Sequence, residues 1–376
     1  MPSDAPDSDA APAAWHAPAL DWPVTTPVGP GLAGAIACSS HVGARNPETG
    51  AVTYRAVPVL QLAATRTFEE VACLLICGSL PAGEASAAGD PEADTSEWAA
   101  FRDALRAARE LPDEVANIVR APSLDTSPLR LLRAGVAAIG SLLAGNDDPP
   151  DITPAIAAAR IGECAGLLML LATHRASLRD GAATLPGIPH SMGLDSGLTI
   201  ALGAGSGSRI QQLMPTLPWL CTMVADDGLE ASTFAGMVVG STRADPWSAV
   251  VATLGAFEGA VRRPLDAAAG RDQRIELLRM RLDPASDALQ RAAARGLIDE
   301  AAVTSPSVLA LAVAVLLDHG MDVDGEMALA VLALPRVVAM LARLCEYSSS
   351  EPRIFRPLGR YVGPPDRHTG PGEPGT

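Results

Sequence analysis

The feature that most constrains the fold of this chain is the run from Ala155 to Ala176, AIAAARIGECAGLLMLLATHRA, preceded by Thr153-Pro154. Proline in a first turn starts a helix without giving up a hydrogen bond. The run is apolar nearly all round rather than along one stripe, so it offers water no face and must be enclosed by other elements. A chain with such a helix at its centre has to supply the enclosure from its own remaining segments.

Those segments also read as helices. Thr67, followed three residues later by Glu70, forms a capping box that opens FEEVACLLIC; Gly78 closes the helix and Pro81 follows. From Trp98 to Leu111, Phe101, Leu105 and Ala108 recur at helical spacing. Pro112 starts PDEVANIVR, and Ser127-Pro128 starts LRLLRAGVAAIGSLLAG. Further helices are expected over 208–227, 232–240, 246–257, 306–319 and 326–346. The one strand-like piece is Ala51–Tyr54, after a turn at Pro47-Glu48-Thr49-Gly50. Residues 83–97 are polar and acidic and are expected to be a surface loop. The glycines of 203–207 lack a following lysine and a βαβ setting, so they read as a turn between helices rather than a phosphate loop.

Composition agrees with an all-α class. Hydrophobic residues make up 48% of the chain but aromatics only 3%, so the core rests on Ala, Leu, Val and Met, which suit packed helices better than strands. The net charge of −15 repels phosphate backbones, and no basic patch offsets it; nucleic acid is not an expected partner. The chain contains no lysine, which removes Schiff-base chemistry. Cys38, Cys73, Cys77, Cys164, Cys221 and Cys345 show no zinc-ligand spacing, so no metal is expected and the thiols read as reduced. Neither a signal peptide nor an apolar stretch of membrane length is legible. A cytoplasmic protein without membrane partners is the expectation.

The stretch from Val224 to Arg263, VADDGLEASTFAGMVVGSTRADPWSAVVATLGAFEGAVRR, resembles the core of the citrate synthase family, which reads like HADHELNASTFAARVVAST…GPLHGGAN. Thr67–Ala72 with Leu74-Leu75, Gly78 and Leu80-Pro81, then Leu111–Val115, Pro335–Val338 and Phe355–Pro357, are similar to other family motifs in the same order. The resemblance implies an all-α fold with a large helical domain over 29–262 and 326–363 and a reduced small domain over 263–325. Tails would occupy 1–28 and 364–376. It also implies a dimer, with helices near 127–143 and 208–257 at the interface.

In that family a histidine polarises a thioester carbonyl, an aspartate removes a proton, another histidine acts on oxaloacetate, and arginines hold the substrate carboxylates. Here Val224 and Asp227 stand at the HADH histidines, Glu230 at the following asparagine and Glu258 at the histidine of GPLHG. Leu309 takes the place of the basic aspartate, and Ala285 that of an arginine. Asp226 matches a family aspartate and reads as structural. Arg336 and Arg356 match retained carboxylate-binding arginines, and Arg262 and Arg263 are two further candidates. His41, His174, His190 and His319 match no catalytic position.

Three functions follow as expectations, the first favoured over the others. One is a repurposed enzyme without a cofactor, acting on a carboxylate-bearing small molecule in a biosynthetic pathway. Asp227, Glu230 and Glu258 would be its catalytic acids or bases, and Arg336, Arg356, Arg262 and Arg263 its substrate-binding residues. The alternative is a non-catalytic subunit or pseudoenzyme that pairs with an active citrate synthase paralogue, and the third is a metabolite-sensing module whose cleft closes on a ligand without reacting. The partner chain is expected to complete a homodimer or a heterodimer with a citrate synthase paralogue.

Overall fold

A computed structural model of the chain describes residues 24–81, 92–93, 95–143, 151–180, 188–262, 271–350 and 354–357. Residues 1–23 of the expected tail over 1–28, the expected tail over 364–376, most of the acidic segment 83–97 and the candidate Arg263 lie outside the described residues.

The N-terminal part forms a small antiparallel sheet of β1 (Gly43–Arg45), β2 (Val52–Tyr54) and β3 (Val57–Pro58). Its first turn closes on Asn46, whose Oδ1 accepts from the backbone N–H groups of Glu48 and Thr49 at 2.9 and 3.1 Å. Gly50, at φ 75°, completes the reversal. The helix α1 (Val59–Thr65) follows, then α2 (Phe68–Cys77), which carries the expected capping box and ends on Gly78 at φ 88°. The short β4 (Leu80–Pro81) pairs in parallel with β5 (Glu92–Ala93), and α3 (Thr95–Ala107) begins at once. The end of the expected acidic loop is therefore strand and helix, not loop.

Next come α4 (Asp113–Arg120), α5 (Pro128–Leu143) and α6 (Pro154–Asp180). The last of these is the central helix, touching α2, α3, α4, α5, α7 (Leu194–Leu202), α10 (Pro246–Val261) and α14 (Gly325–Ser349). Gly162 lets α3 come close at Leu105, and Gly166 does the same for the turn after α3: a Cβ on Gly166 would lie 2.7 Å from the Arg109 carbonyl oxygen. The N-termini of α2 and α7 satisfy each other. Asp195 accepts from the Phe68 N–H at 2.9 Å, and Glu69 accepts from the Leu194 N–H at 2.6 Å.

The helix expected over 208–227 is α8 (Gly207–Met223), which stops four residues earlier. Residues 224–230 turn away through Gly228 at φ 72°, and α9 (Ala231–Ser241) starts beyond them. Two further helices, α11 (Gln273–Arg281) and α12 (Ala288–Ala294), pack on α13 (Val308–Leu316), which is buried along its whole length. In α14 every residue from Met327 to Cys345 is buried, Arg336 and Arg343 included.

Two stretches, Pro154–Arg179 and Val308–Ser349, are long and apolar enough to cross a membrane by length and composition alone. This corrects the expectation that no such stretch occurs. Both are mostly or wholly buried inside the fold, where close helix packing replaces lipid.

Candidate active site

The seven-residue linker between α8 and α9 carries three of the acids singled out in the sequence. Because α8 ends at Met223, the side chains of the linker are free of helical register and can turn toward different neighbours.

Asp226 turns to the last helix. Its backbone N–H donates to the Tyr54 hydroxyl at 3.1 Å. Its carboxylate accepts from Nε and Nη2 of Arg343 at 3.1 and 2.7 Å, with both side chains about 5% exposed. Such a bidentate pair fixes direction as well as charge. Burial alone would lower the Arg343 pKa, but Asp226 outweighs it and holds the guanidinium above its ordinary value.

Asp227 turns to two other arginines. Oδ1 accepts from Arg274 Nη2 at 2.7 Å, and Oδ2 lies 3.9 Å from Arg336 Nη2. Both guanidinium groups are 1% exposed. Burial would raise the Asp227 carboxyl, but Arg336 and Arg274 together hold it below the ordinary aspartate value.

Arg274 is fully engaged. Asp272, the cap of α11, accepts from its Nε and Nη2, the latter at 2.7 Å. The carbonyls of Met223 and Asp226 accept from Nη1 at 3.2 and 2.9 Å. Arg45 reaches Asp272 from the rim at 3.4 Å. Arg336 is the opposite case: its Nε and Nη1 are buried without a hydrogen-bond partner among the described residues. Three buried arginines (274, 336 and 343) thus face three aspartates (226, 227 and 272).

The remaining candidates lie in other surroundings. Glu230 caps α9: its carboxylate accepts from the N–H groups of Ser232 and Thr233 at 2.9 and 3.1 Å, and from both of their hydroxyls. Glu258 faces α5 and pairs with Arg130 at 2.8 Å and Arg133 at 3.5 Å. Arg262 follows α10 as its C-terminal cap, half-buried, and its Nε is without a partner among the described residues. Arg356 is exposed beside Phe355, whose ring packs on Phe234 and Tyr347. Leu309 is 6% exposed at the start of α13, and Ala285 is exposed. The structure therefore brings Asp227 and Arg336 together. It gives Glu230 and Glu258 separate, fully described partners.

Sequence reasoning missed Arg274, Arg343, Asp272, Arg45 and Tyr54. Arg343 had one available signal, since it lies two helical turns after Arg336 and shares its face. Arg274 had none within its own segment.

Comparison with known proteins follows the same lines. The family model described as citrate synthase, C-terminal domain, matches residues 31–269. The 2-methylcitrate synthase of Mycobacterium tuberculosis is 29% identical over 233 residues, 61% of this chain and 53% of that protein. The citrate synthase of Haloferax volcanii is 30% identical over 236 residues, 61% and 57% of the two chains. The chain spans about half the length of the curated relatives it matches. Among solved structures, the Thermoplasma acidophilum enzyme, described as a ternary complex of carboxymethyl coenzyme A and oxaloacetate with citrate synthase, superposes with a TM-score of 0.65. The match has 17% identity and covers 90% of this chain and 96% of that one. Citrate synthase from Thermotoga maritima gives 0.63 at 22% identity, covering 91% and 98%. At these identities the structural matches speak for the fold.

Proposed function

This chain belongs to the citrate synthase family, and on that premise we propose that it is a non-catalytic member, which keeps the fold without the condensation chemistry and acts by pairing with a second chain of the same fold. The observation that carries this reading is the commitment of all three replacement acids. A general base must be able to accept a proton near the operating pH. Asp227 is held ionised and its pKa is pushed further down by Arg336 and Arg274, which makes it a poor base. Glu230 is used as a helix cap and Glu258 as the partner of two arginines. Leu309 accepts no proton at all. Among the positions that the family resemblance assigns to proton transfer, no uncommitted acceptor is left for forming a thioester enolate.

Pairing is supported by the outer face of α5 and α10, which pack side by side. Their exposed and half-buried positions include small residues, Ala134, Ala137 and Ser141 on one helix, Ala252, Gly255 and Gly259 on the other, and α5 ends on the exposed Leu142 and Leu143. Small side chains let a second pair of helices approach closely, and an interface of this kind can outlast the chemistry it once served. Arg356, exposed and pinned by Phe355 against α9, is suited to reach a neighbouring chain. Co-expression with an active citrate synthase from the same genome tests the reading. Recovery of a mixed dimer supports it, and separate homodimers or monomers contradict it.

A second reading, a carboxylate-binding and repurposed enzyme, draws on one observation: Nε and Nη1 of Arg336 lack acceptors. It requires stabilisation by a di- or tricarboxylate that disappears in Arg336→Ala.

A further inference from the structure

We infer that the Asp227 side chain is a built-in carboxylate that occupies the anion position of the Arg274–Arg336 pair, so that its removal uncovers a binding site for a small monocarboxylate. The inference deepens the non-catalytic reading of this site and rests on it in one respect, that no substrate carboxylate competes for the pair.

The geometry comes from three separate elements. Arg274 lies on α11 and Arg336 on α14, and each presents Nη2 to a different oxygen of the same carboxylate, at 2.7 and 3.9 Å. Two guanidinium groups converging on one carboxylate is the arrangement by which proteins hold a carboxylate ligand. Here the carboxylate arrives on the protein's own linker, just past the end of α8.

Charge makes the occupant necessary. Asp226 is taken by Arg343, and Asp272 is taken by Arg274 and Arg45. Without Asp227, three guanidinium groups no more than 5% exposed would face two carboxylates. An uncompensated buried charge is strongly unfavourable, so the emptied position would attract an anion. Arg336 also has spare donors, since Nε and Nη1 are unpartnered. Truncation of Asp227 to alanine removes a group of the size of formate, which defines the probe.

The test uses the full-length chain and sodium formate, with ionic strength held constant by chloride. Thermal midpoints are measured for the wild type, Asp227→Ala, Asp227→Asn and Asp227→Ala/Arg336→Met. We expect formate to leave the wild type unmoved and to raise the midpoint of Asp227→Ala saturably by several degrees. Asp227→Asn, which keeps the side-chain volume, should be destabilised without responding. The double variant should lose the response. If Asp227→Ala does not accumulate in soluble form, its refolding yield in formate against chloride takes the place of the midpoint, with the same expected contrast. An unchanged Asp227→Ala, a response that survives Arg336→Met, or a wild type stabilised by formate would each overturn the inference. Condensation by the wild type would overturn the non-catalytic reading instead, through a different measurement.

Discussion

Asp226 accepts two hydrogen bonds from Arg343, 117 positions away, while its immediate neighbour Asp227 turns to Arg274 and Arg336. Two adjacent carboxylates thus tie one short linker to α11 and α14. The linker is where the family resemblance places catalytic histidines, and in this chain it works as a junction of ion pairs.

Breaking that junction from one side should be costly. Arg343→Met strands Asp226 in a nearly dry site, and we expect a loss of about 3–5 kcal/mol of unfolding free energy. Adding Asp226→Leu removes the stranded charge and should recover part of the loss. Gly43 abuts the same carboxylate, so close that a Cβ would overlap Asp226 Oδ2. Gly43→Ala should therefore also destabilise the protein. Urea denaturation of the three variants beside the wild type checks the order; equal losses in the single and double variants would mean that the pair is not coupled.

Glu230 and Glu258 should behave as structural residues of different weight. Glu230→Ala removes the cap of α9, and a loss of about 0.5–2 kcal/mol is expected. Glu258→Ala breaks a bridge whose main partner, Arg130, is 61% exposed, and a loss of only about 0–1 kcal/mol is expected. Chemical denaturation separates the two. A Glu230→Ala protein of unchanged stability would reopen the question of what that carboxylate does.

Stability should fall between about pH 4.5 and pH 7. Burial pushes the Glu163 carboxyl up to about 7 against the pull of Arg160 and of the Trp247 N–H. Burial also raises Asp195 to about 7, opposed by the Phe68 N–H. For both groups the folded pKa lies above the unfolded one, so between the two values the folded state holds more protons. Rising pH then favours unfolding, by up to roughly 1.4 kcal/mol per pH unit for each group. Asp227 has the opposite sign: its depressed pKa makes its contribution disappear as the pH drops below the ordinary aspartate value. Glu163→Gln should flatten the slope between pH 5 and 7, read as urea midpoints. A variant with the wild-type slope would contradict the assignment.

Much of this architecture was legible in the chain because local chemistry marked it. The Thr67–Glu70 capping box, the apolar run of α6 and the glycine turn before α8 are each encoded within a few residues. The helix α11 was not, because its buried residues are only Arg274 and Leu278, which make no apolar stripe. Asp227 and Arg336 were found through their places in family motifs. Their partner Arg274 was not, since a bond spanning 47 positions leaves no local pattern. Glu230 reads as a replaced active-site group because it stands at a family motif position, although the helix expected over 232–240 starts just after it and the structure uses it as the cap of α9.

The most direct measurement is thiol release by the purified chain from acetyl-CoA or propionyl-CoA with oxaloacetate. With Leu309 at the position that the family resemblance assigns to the base and Asp227 held between two arginines, the proposed reading predicts a rate equal to that of the buffer, at every protein concentration. Steady release that scales with the amount of protein would contradict the account.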